Sequence, residues 1–390
     1  MTVKIIQILS WIAGLFLLIS ISFIIWASIT DFKPLLRMEL SPKGNANQPF
    51  PESRELNLLS WNIGYCGLGK EMDFFYDGGK QTRCSIEQYQ QYLNGIFNFL
   101  SSQSHLDFCL IQEVDVDSKR SYYTQQEQML IKAFSKLNSV YAENYNVGFV
   151  PVPLQSPMGK VSAGMMTFSP YKIGESYRLG FEVNYDWPKR LFMLDRCLLV
   201  TRLQLENGKS LVIVNLHNSA FDDDGRLRQG ELRTLKTLLL DEYSKGNYVI
   251  AGGDWNQNPP GFKKSNFTTG DAAELISPPF SKDFMPSSWK WMFDAKSPSN
   301  RFLNEAYQKG KTLTTIIDYF IVSPNIEALS VKTFPLGFEF SDHNPVMISV
   351  KLSDEPWQRQ IQQDTLKIHQ LQDSIQVLLH KKTGRKPVGK

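Results

Sequence analysis

The chain breaks again and again from a short apolar run into polar residues, and this punctuation most restricts what it can fold into. The runs are "ELNLLSWNIG", "HLDFCLIQEVD", "SAGMMTFS", "RCLLVTRLQL", "KSLVIVNLHNS", "NYVIAGGDWN", "TTIIDYFIVS" and "DHNPVMISVKL". Each is of strand length and rich in β-branched or aromatic residues. Between some of them, "IEQYQQYLNGIFNFLSSQ" and "LRQGELRTLKTLLLDEYSKG" repeat apolar residues at three and four, the spacing of a helix face. Gly246 closes the second as a C-terminal stop. Strands with interspersed helices predict one α/β (or α+β) domain over residues 55–352.

The flanks differ from this body. From Ile5 to Thr30 no residue is charged. At about 1.5 Å per helical residue, this run exceeds the roughly 30 Å hydrocarbon core of a bilayer. It is also longer than the apolar region of a cleavable signal peptide, about 7–15 residues. Residues 1–30 therefore read as a transmembrane anchor, and the expected location is a membrane, through a single N-terminal pass. Lys4 lies on one side, with Lys33, Arg37 and Lys43 on the other, so charge does not set the orientation. Residues 31–54, rich in Pro, Ser, Asn and Lys, read as a linker. In 353–390, Trp357, Ile361, Leu366, Leu371, Ile375, Leu378 and Leu379 fall on one helical face. An amphipathic helix followed by a basic tail is expected there.

The net charge of +3 is unevenly spread: the last ten residues, "KKTGRKPVGK", carry five positive charges and no acid. Taking those five away leaves the other residues at −2, so the body is not a basic nucleic-acid-binding surface by composition. Cys66, Cys84, Cys109 and Cys197 show no CxxC spacing, which argues against a zinc knuckle. Cys109 and Cys197 sit in apolar runs as small core residues. Whether Cys66 and Cys84 pair is left open.

The polar residues at the ends of the runs form a set. They are Asn62 in "SWNIG", Glu113 in "IQEVD", His217 in "NLHNS", Asp254 and Asn256 in "GGDWNQNP", Asp318 in "IIDYF", and Asp342 and His343 in "SDHNP". Any one of them reads equally well as a cap or turn residue. Together they occupy one structural position, and strand ends gathered on one sheet edge can converge on rigid supports. Carboxylates and an amide are hard oxygen donors that suit Mg²⁺ or Mn²⁺. Two histidines, one near a carboxylate able to orient it, suit proton transfer. That combination fits attack of water on a phosphorus ester.

The ordered series SWN, QE, NLH, GDWN, IDY and SDH resembles the endonuclease/exonuclease/phosphatase superfamily, which includes pancreatic deoxyribonuclease, abasic-site endonucleases, inositol-polyphosphate 5-phosphatases and neutral sphingomyelinases. The resemblance spans about residues 55–352. It implies a four-layer α/β/β/α sandwich of two packed mixed sheets with the site at one end. By position it implies metal ligation by Asn62 and Glu113, with Glu113 the main ligand, and Asp342 assisting at a second or water-mediated metal position. Asp254 and Asn256 would orient the nucleophilic water and the phosphate. Asp318 would orient His343, a general base or phosphate ligand. His217 matches a histidine used near the leaving group or phosphate, and Arg196 is a candidate phosphate contact. The chain departs from the pattern at Trp255, where Phe is usual, and the mid-chain tyrosine of some nuclease branches is not located.

The expected activity is that of a membrane-anchored, divalent-metal-dependent phosphoesterase, with a lipid or small head group favoured as substrate. Aromatic segments flanking the motifs, "YCGLGKEMDFFYDGGK" and "PPFSKDFMPSSWKWMF", suit stacking on a base or contact with lipid. A nuclease acting on DNA or RNA is the alternative. A non-catalytic binding or scaffold module is the alternative of another class.

Overall fold

The computed structural model describes residues 2–353 apart from 51–54, 104, 221, 223–224, 264–266, 268–279 and 282. Beyond Ser353, the expected amphipathic helix and basic tail lie outside the described residues. The elements in chain order are helix α1 (Thr2–Ile29), strands β1 (Arg37–Glu39) and β2 (Glu55–Asn62), α2 (Ile86–Ser102), β3 (Phe108–Asp115), α3 (Gln126–Ala133), β4 (Asn138–Val150), β5 (Gly159–Ser169), β6 (Glu175–Gly180), β7 (Cys197–Gln204) and β8 (Ser210–His217). There follow α4 (Arg226–Ser244), β9 (Tyr248–Asp254), β10 (Lys290–Met292), β11 (Asn300–Arg301), β12 (Thr314–Thr315), β13 (Asp318–Val322), β14 (Ile326–Thr333) and β15 (Val346–Leu352).

Two mixed sheets carry the domain. The larger runs β1-β6-β7-β8-β9-β13-β10 and the smaller β14-β15-β2-β3-β5-β4. Their facing sides share one buried cluster, with Leu56, Leu58, Phe108 and Leu110 from the smaller sheet against Ile213, Ile250, Phe320 and Val322 from the larger. On the outer side of the smaller sheet, Leu59, Trp61 and Ile111 pack on Tyr92 and Ile96 of α2 and Leu130 of α3. On the outer side of the larger sheet, Val212, Val214 and Val249 pack on Leu235 and Leu239 of α4. The order is therefore α/β/β/α, the four-layer sandwich implied by the resemblance. Burying a Leu, Ile, Val or Phe side chain contributes roughly 1.5–3 kcal/mol, so the period-two alternation of each strand fixes which face it turns to which layer.

Both helices read from the sequence form. A capping box closes the start of α2, with the Ser85 side chain accepting from the Gln88 amide and the Gln88 side chain accepting from the Ser85 amide. Past α4, Gly246 takes φ +83° and its amide donates to the Tyr243 carbonyl. The stretch 31–54, a linker by composition, is partly built into the domain: β1 pairs antiparallel with β6, and Lys43 bridges to Ser139. Three residues are too few to show a strand alternation in sequence. All four cysteines are buried and free, Cys66 and Cys84 in the core beneath α2.

Helix α1 stands apart from the sandwich along most of its length, with its apolar side chains exposed. Only its last two turns meet the domain. Phe23 stacks on Phe192 and meets Phe149 edge-on, at centroid distances of 5.7 and 6.1 Å.

Candidate active site

Strand alternation delivers one row of polar side chains to the inner edge of the larger sheet. In β8, Leu211 and Ile213 face the opposite sheet, so Asn215 and His217 follow at the same parity. In β9, Tyr248 and Ile250 set the same phase for Asp254. In β13, Phe320 and Val322 set it for Asp318. The register places His217 beside Asp254 and Asp254 beside Asp318 on three neighbouring strands. Gly253 allows this approach: at φ +146°, a Cβ there would lie 2.0 Å from the Leu216 carbonyl oxygen.

The smaller sheet supplies its residues less regularly. Asn62 follows Leu56, Leu58 and Ser60 in simple alternation along β2. Glu113 does not. Between Ile111 and Val114, β3 has two residues, Gln112 and Glu113, opposite one of β5, and Glu113 adopts φ +56°. Gln112 faces inward onto Asn215 in the phase of Phe108 and Leu110, and the bulge lets Val114 resume the outer face. Glu113 is thereby freed from the outward position strict alternation would give it. A non-glycine residue in the left-handed region costs on the order of 1–3 kcal/mol, strain of the kind that collects at functional sites.

Asp342 and His343 arrive on the turn before β15. The His343 carbonyl accepts from the Trp61 indole N–H at 2.9 Å, and its amide donates to Ser341 Oγ at 3.1 Å. Ser341 Oγ donates in turn to the Asn62 carbonyl at 2.8 Å. The turn is thus stitched to the end of β2.

These residues converge. His343 Nδ1 lies 2.8 Å from Asp318 Oδ2, and its Nε2 lies 3.7 Å from both Asp254 and Asp342. His217 Nε2 lies 3.5 Å from Asp254 and 3.9 Å from Glu113. Asn62 donates its amide to Glu113 and to Asp254, each at 3.0 Å, while its oxygen accepts from the Gly64 amide. Asn256 donates its backbone N–H to Asp254 Oδ1 and its side-chain amide to the Asn218 carbonyl. Arg196 donates Nη1 to the His217 carbonyl at 2.9 Å, and its buried Nε has no hydrogen-bond partner among the described residues. Glu113, Arg196, His217, Asp254, Asn256, Asp342 and His343 line one cavity of about 660 Å³. Asn62 and Asp318 support it from beneath through their bonds to Glu113, Asp254 and His343.

Burial and mutual repulsion set the electrostatics. Burial pushes Asp254 up to about 6, with the charge of His343 pulling it down and Asp318 adding to the rise. Burial likewise pushes Asp342 up to about 7, opposed by His343 and reinforced by Glu113. Burial alone would lower His343, but Asp318, Asp342 and Asp254 together hold it well above the ordinary histidine value. His217 goes the other way: burial first, then the Arg196 charge, keep it well below that value. Two histidines in one cavity are thus poised in opposite protonation states.

The donor set fits a divalent cation. Among the described residues, no lysine or arginine lies within ion-pair distance of Glu113, Asp254, Asp318 or Asp342, whose close nitrogen partners are the rings of His217 and His343. Asp318 Oδ1 is buried with no hydrogen-bond partner. Asp254, Asp318 and His343 each offer a ligand atom within 4.8 Å of the others. Gathered carboxylates with spare lone pairs and no lysine or arginine among them suit a hard cation.

Two contributors, Asn300 and Ser299, carry no signal in the sequence, and a third, Tyr65, opens the aromatic segment that follows Asn62. Asn300 lies 3.1 Å from His343 Nε2 through its side-chain nitrogen. With a neutral ring, Nδ1–H donates to Asp318 and Nε2 accepts from Asn300; a proton on Nε2 requires the Asn300 amide to turn its oxygen inward. Ser299 Oγ accepts from the Ile317 and Asp318 amides at 3.0 Å each, fixing the start of β13. Tyr65 stands in the cavity wall with its buried hydroxyl unpartnered and its ring under the Arg120 guanidinium, 3.9 Å from the centroid. None of the three lies at the end of a long apolar run, the signal that marked the others.

The chain matches the family model described as "Endonuclease/Exonuclease/phosphatase family" over residues 59–343, well over half its length. No curated protein sequence matches it. Among solved structures, it is similar to an endonuclease/exonuclease/phosphatase from Beutenbergia cavernae (14% identity, 77% of this chain and 72% of that one, TM-score 0.52). It also aligns with an endonuclease/exonuclease/phosphatase from Bacteroides vulgatus (16%, 77% and 100%, 0.47) and with TDP2 from Caenorhabditis elegans (13%, 76% and 74%, 0.46). The first of these likenesses bears on the fold and agrees with the two packed sheets. By its match over residues 59–343, which brackets Asn62 through His343, the chain belongs to the endonuclease/exonuclease/phosphatase family.

Proposed function

We propose that this protein is a membrane-anchored, Mg²⁺- or Mn²⁺-dependent hydrolase of phosphate esters, acting on a lipid or small head group. The observation that carries the reading is the convergence of buried carboxylates from both sheets with two oppositely poised histidines. Glu113 would be the main ligand of the cation, with Asn62, whose amide also holds Glu113 and Asp254 together, as a second ligand and Asp342 assisting. When bound, the cation neutralises charge on the phosphate oxygens.

The remaining steps belong to the side chains. Asp254, fixed by the Asn256 amide, orients the attacking water and takes its proton. The water oxygen bonds to phosphorus as the ester P–O bond breaks, and the leaving oxygen recovers the proton that Asp254 took. His343, held by Asp318 and charged, contacts the phosphate oxygens. His217 and the free Nε of Arg196 face the same anion from the other side of the cavity.

Two features favour a lipid or head group over a nucleic acid. The cavity has an apolar wall of Leu68, Phe74, Met158, Met193, Leu194 and Leu303. Its basic residues are few and mostly engaged: Arg120 with Asp115, and Arg301 with the carbonyls of Gly69 and Met72. A nucleic-acid groove relies on several free lysines or arginines along the backbone. Helix α1, apolar and exposed, is read as the anchor.

The test is a screen of the purified protein, with Mg²⁺, Mn²⁺ or a chelator, against a phospholipid, an inositol phosphate, single- and double-stranded DNA, and generic phosphodi- and monoesters. Metal-dependent turnover of a lipid or head group is expected. Faster turnover of DNA would move the reading to a nuclease, and no turnover with any ester would leave a binding module.

A further inference from the structure

Helix α1 carries more apolar length than a bilayer needs. Its apolar span Val3–Ile29 has 27 residues, against about 20 for the hydrocarbon core. The surplus of about seven residues, at about 1.5 Å each, corresponds to Phe23–Ile29. These are the turns that touch the domain. Phe23 meets Phe149 and Phe192, and the Trp26 ring lies against Gly148. Trp187 Nε1 lies 3.4 Å from Ser28 Oγ. The docked end of α1 is therefore at headgroup depth, where tryptophans of membrane proteins concentrate.

Helix α1 is received by the end of β4, at Gly148 and Phe149, and by the turn from Trp187 to Phe192; the first leads directly into the connection between β4 and β5. The β4–β5 connection with the end of β4, and the turn at Trp187, expose large apolar side chains. Leu154 is 87% exposed and Trp187 60%, with Phe149 and Val152 each exposed by more than a third. The same segments wall the cavity. Met158 ends the first, Met193 and Leu194 follow the second, and all three line the site. The Tyr145 hydroxyl of β4, donating to the Phe192 carbonyl at 3.0 Å, ties the strand that leads into the first segment to the end of the second.

We propose that residues 151–158 and 185–192 form an apron that rests on the bilayer crossed by α1 and brings the cavity mouth to the membrane surface. The occupant of this apolar patch is the lipid headgroup region, because the patch is continuous with the end of α1. Substrate then enters from the leaflet rather than from bulk water. The inference rests on the reading of α1 as an anchor and of the cavity as a phosphoesterase site.

The experiment uses the full chain in phosphatidylcholine vesicles. Because the four native cysteines are buried, a single Leu154→Cys or Asn207→Cys variant can be labelled selectively with an environment-sensitive fluorophore. Asn207 lies in the β7–β8 turn, at the end of the sandwich away from His217. The label at 154 should shift to the blue and be quenched by brominated lipid, while the label at 207 should behave as in water. A label at 154 indistinguishable from that at 207 would overturn the apron. A Leu154→Asp/Trp187→Asp variant should lose about tenfold or more in turnover of vesicle-embedded phospholipid, the worth of one lost apolar insertion. It should keep its rate on a soluble phosphodiester; equal loss on both substrates would contradict entry from the leaflet. A wild type inert on every phosphoester refutes the hydrolase reading, whereas the fluorescence at 154 decides the apron by itself.

Discussion

His217 and His343 stand in one cavity, both buried and both within 3.7 Å of Asp254, yet the fold prepares them for opposite states. His343 comes from the turn feeding the smaller sheet, with Asp318, Asp342 and Asp254 around its ring. His217 ends a strand of the larger sheet, with the Arg196 charge nearby and its Nδ1 buried without a hydrogen-bond partner among the described residues. Depth is the same, so the neighbours decide the proton. A histidine's role in a hydrolytic site is set by the count and sign of charges that the strand register brings to it.

The widest gap this comparison predicts is in protonation itself. Nitrogen NMR of the metal-free protein should show His343 still charged as the pH rises past the ordinary histidine value, and His217 neutral as it falls below. The linkage signs differ accordingly. The stability from His343 is full below its unfolded value and is lost as the pH rises through its higher folded value. His217 lowers stability as the pH falls through the ordinary range, because the unfolded chain binds the proton that the folded one refuses. Two rings that titrate together would break the comparison.

A second effect should be a loss of rate. Glu113→Gln removes the charge of the residue aimed inward by the β3 bulge. Metal-dependent turnover should fall on the order of 10³-fold or more, the several kcal/mol that cation charge stabilisation is worth. The melting temperature should hold or rise, because Glu113 adds to the repulsion around Asp342. Normal turnover in this variant would remove Glu113 from the metal role.

Smaller effects separate support from chemistry. Asn300→Ala deletes one hydrogen bond to His343 Nε2. It should cost about tenfold in turnover, near the 1–1.5 kcal/mol of a single bond. An unchanged rate would show that Asn300 does not position the ring. Ser299→Ala orphans the Ile317 and Asp318 amides. Urea unfolding should show a loss of about 1–3 kcal/mol; an unchanged midpoint would mean that β13 starts correctly without it.

How much of this was legible in sequence follows from regularity. His217, Asp254 and Asp318 lie on β8, β9 and β13, whose apolar alternation runs unbroken into them, so strand and site could be read together. Asn62 is read in the same way from β2. That Glu113 faces the cavity is not readable from its spacing, because strict alternation turns it outward and only the bulge brings it in. The resemblance marked it where periodicity could not. Strand β4, "NSVYAENYNVGFV", leaves no clear strand signal because Asn, Glu and Tyr interrupt its apolar pattern, and β14 leaves none because its outer face is solvated. Asn300 and Ser299 sit at a two-residue strand, too short to leave a pattern. Their roles come from contacts between residues far apart in the chain.

The claim most exposed to test is that Asp318 and His343 act as one unit. The measurement is a double-mutant cycle on phosphoester turnover with Mg²⁺ present. His343→Ala should lower turnover by about 10²–10³, the worth of one preorganised donor to the developing oxyanion. Asp318→Asn should cost much of the same factor, and the double variant should be little worse than His343→Ala alone. Fully additive losses, or a His343→Ala protein that turns over normally but melts much earlier, would contradict the account and return His343 to a structural role.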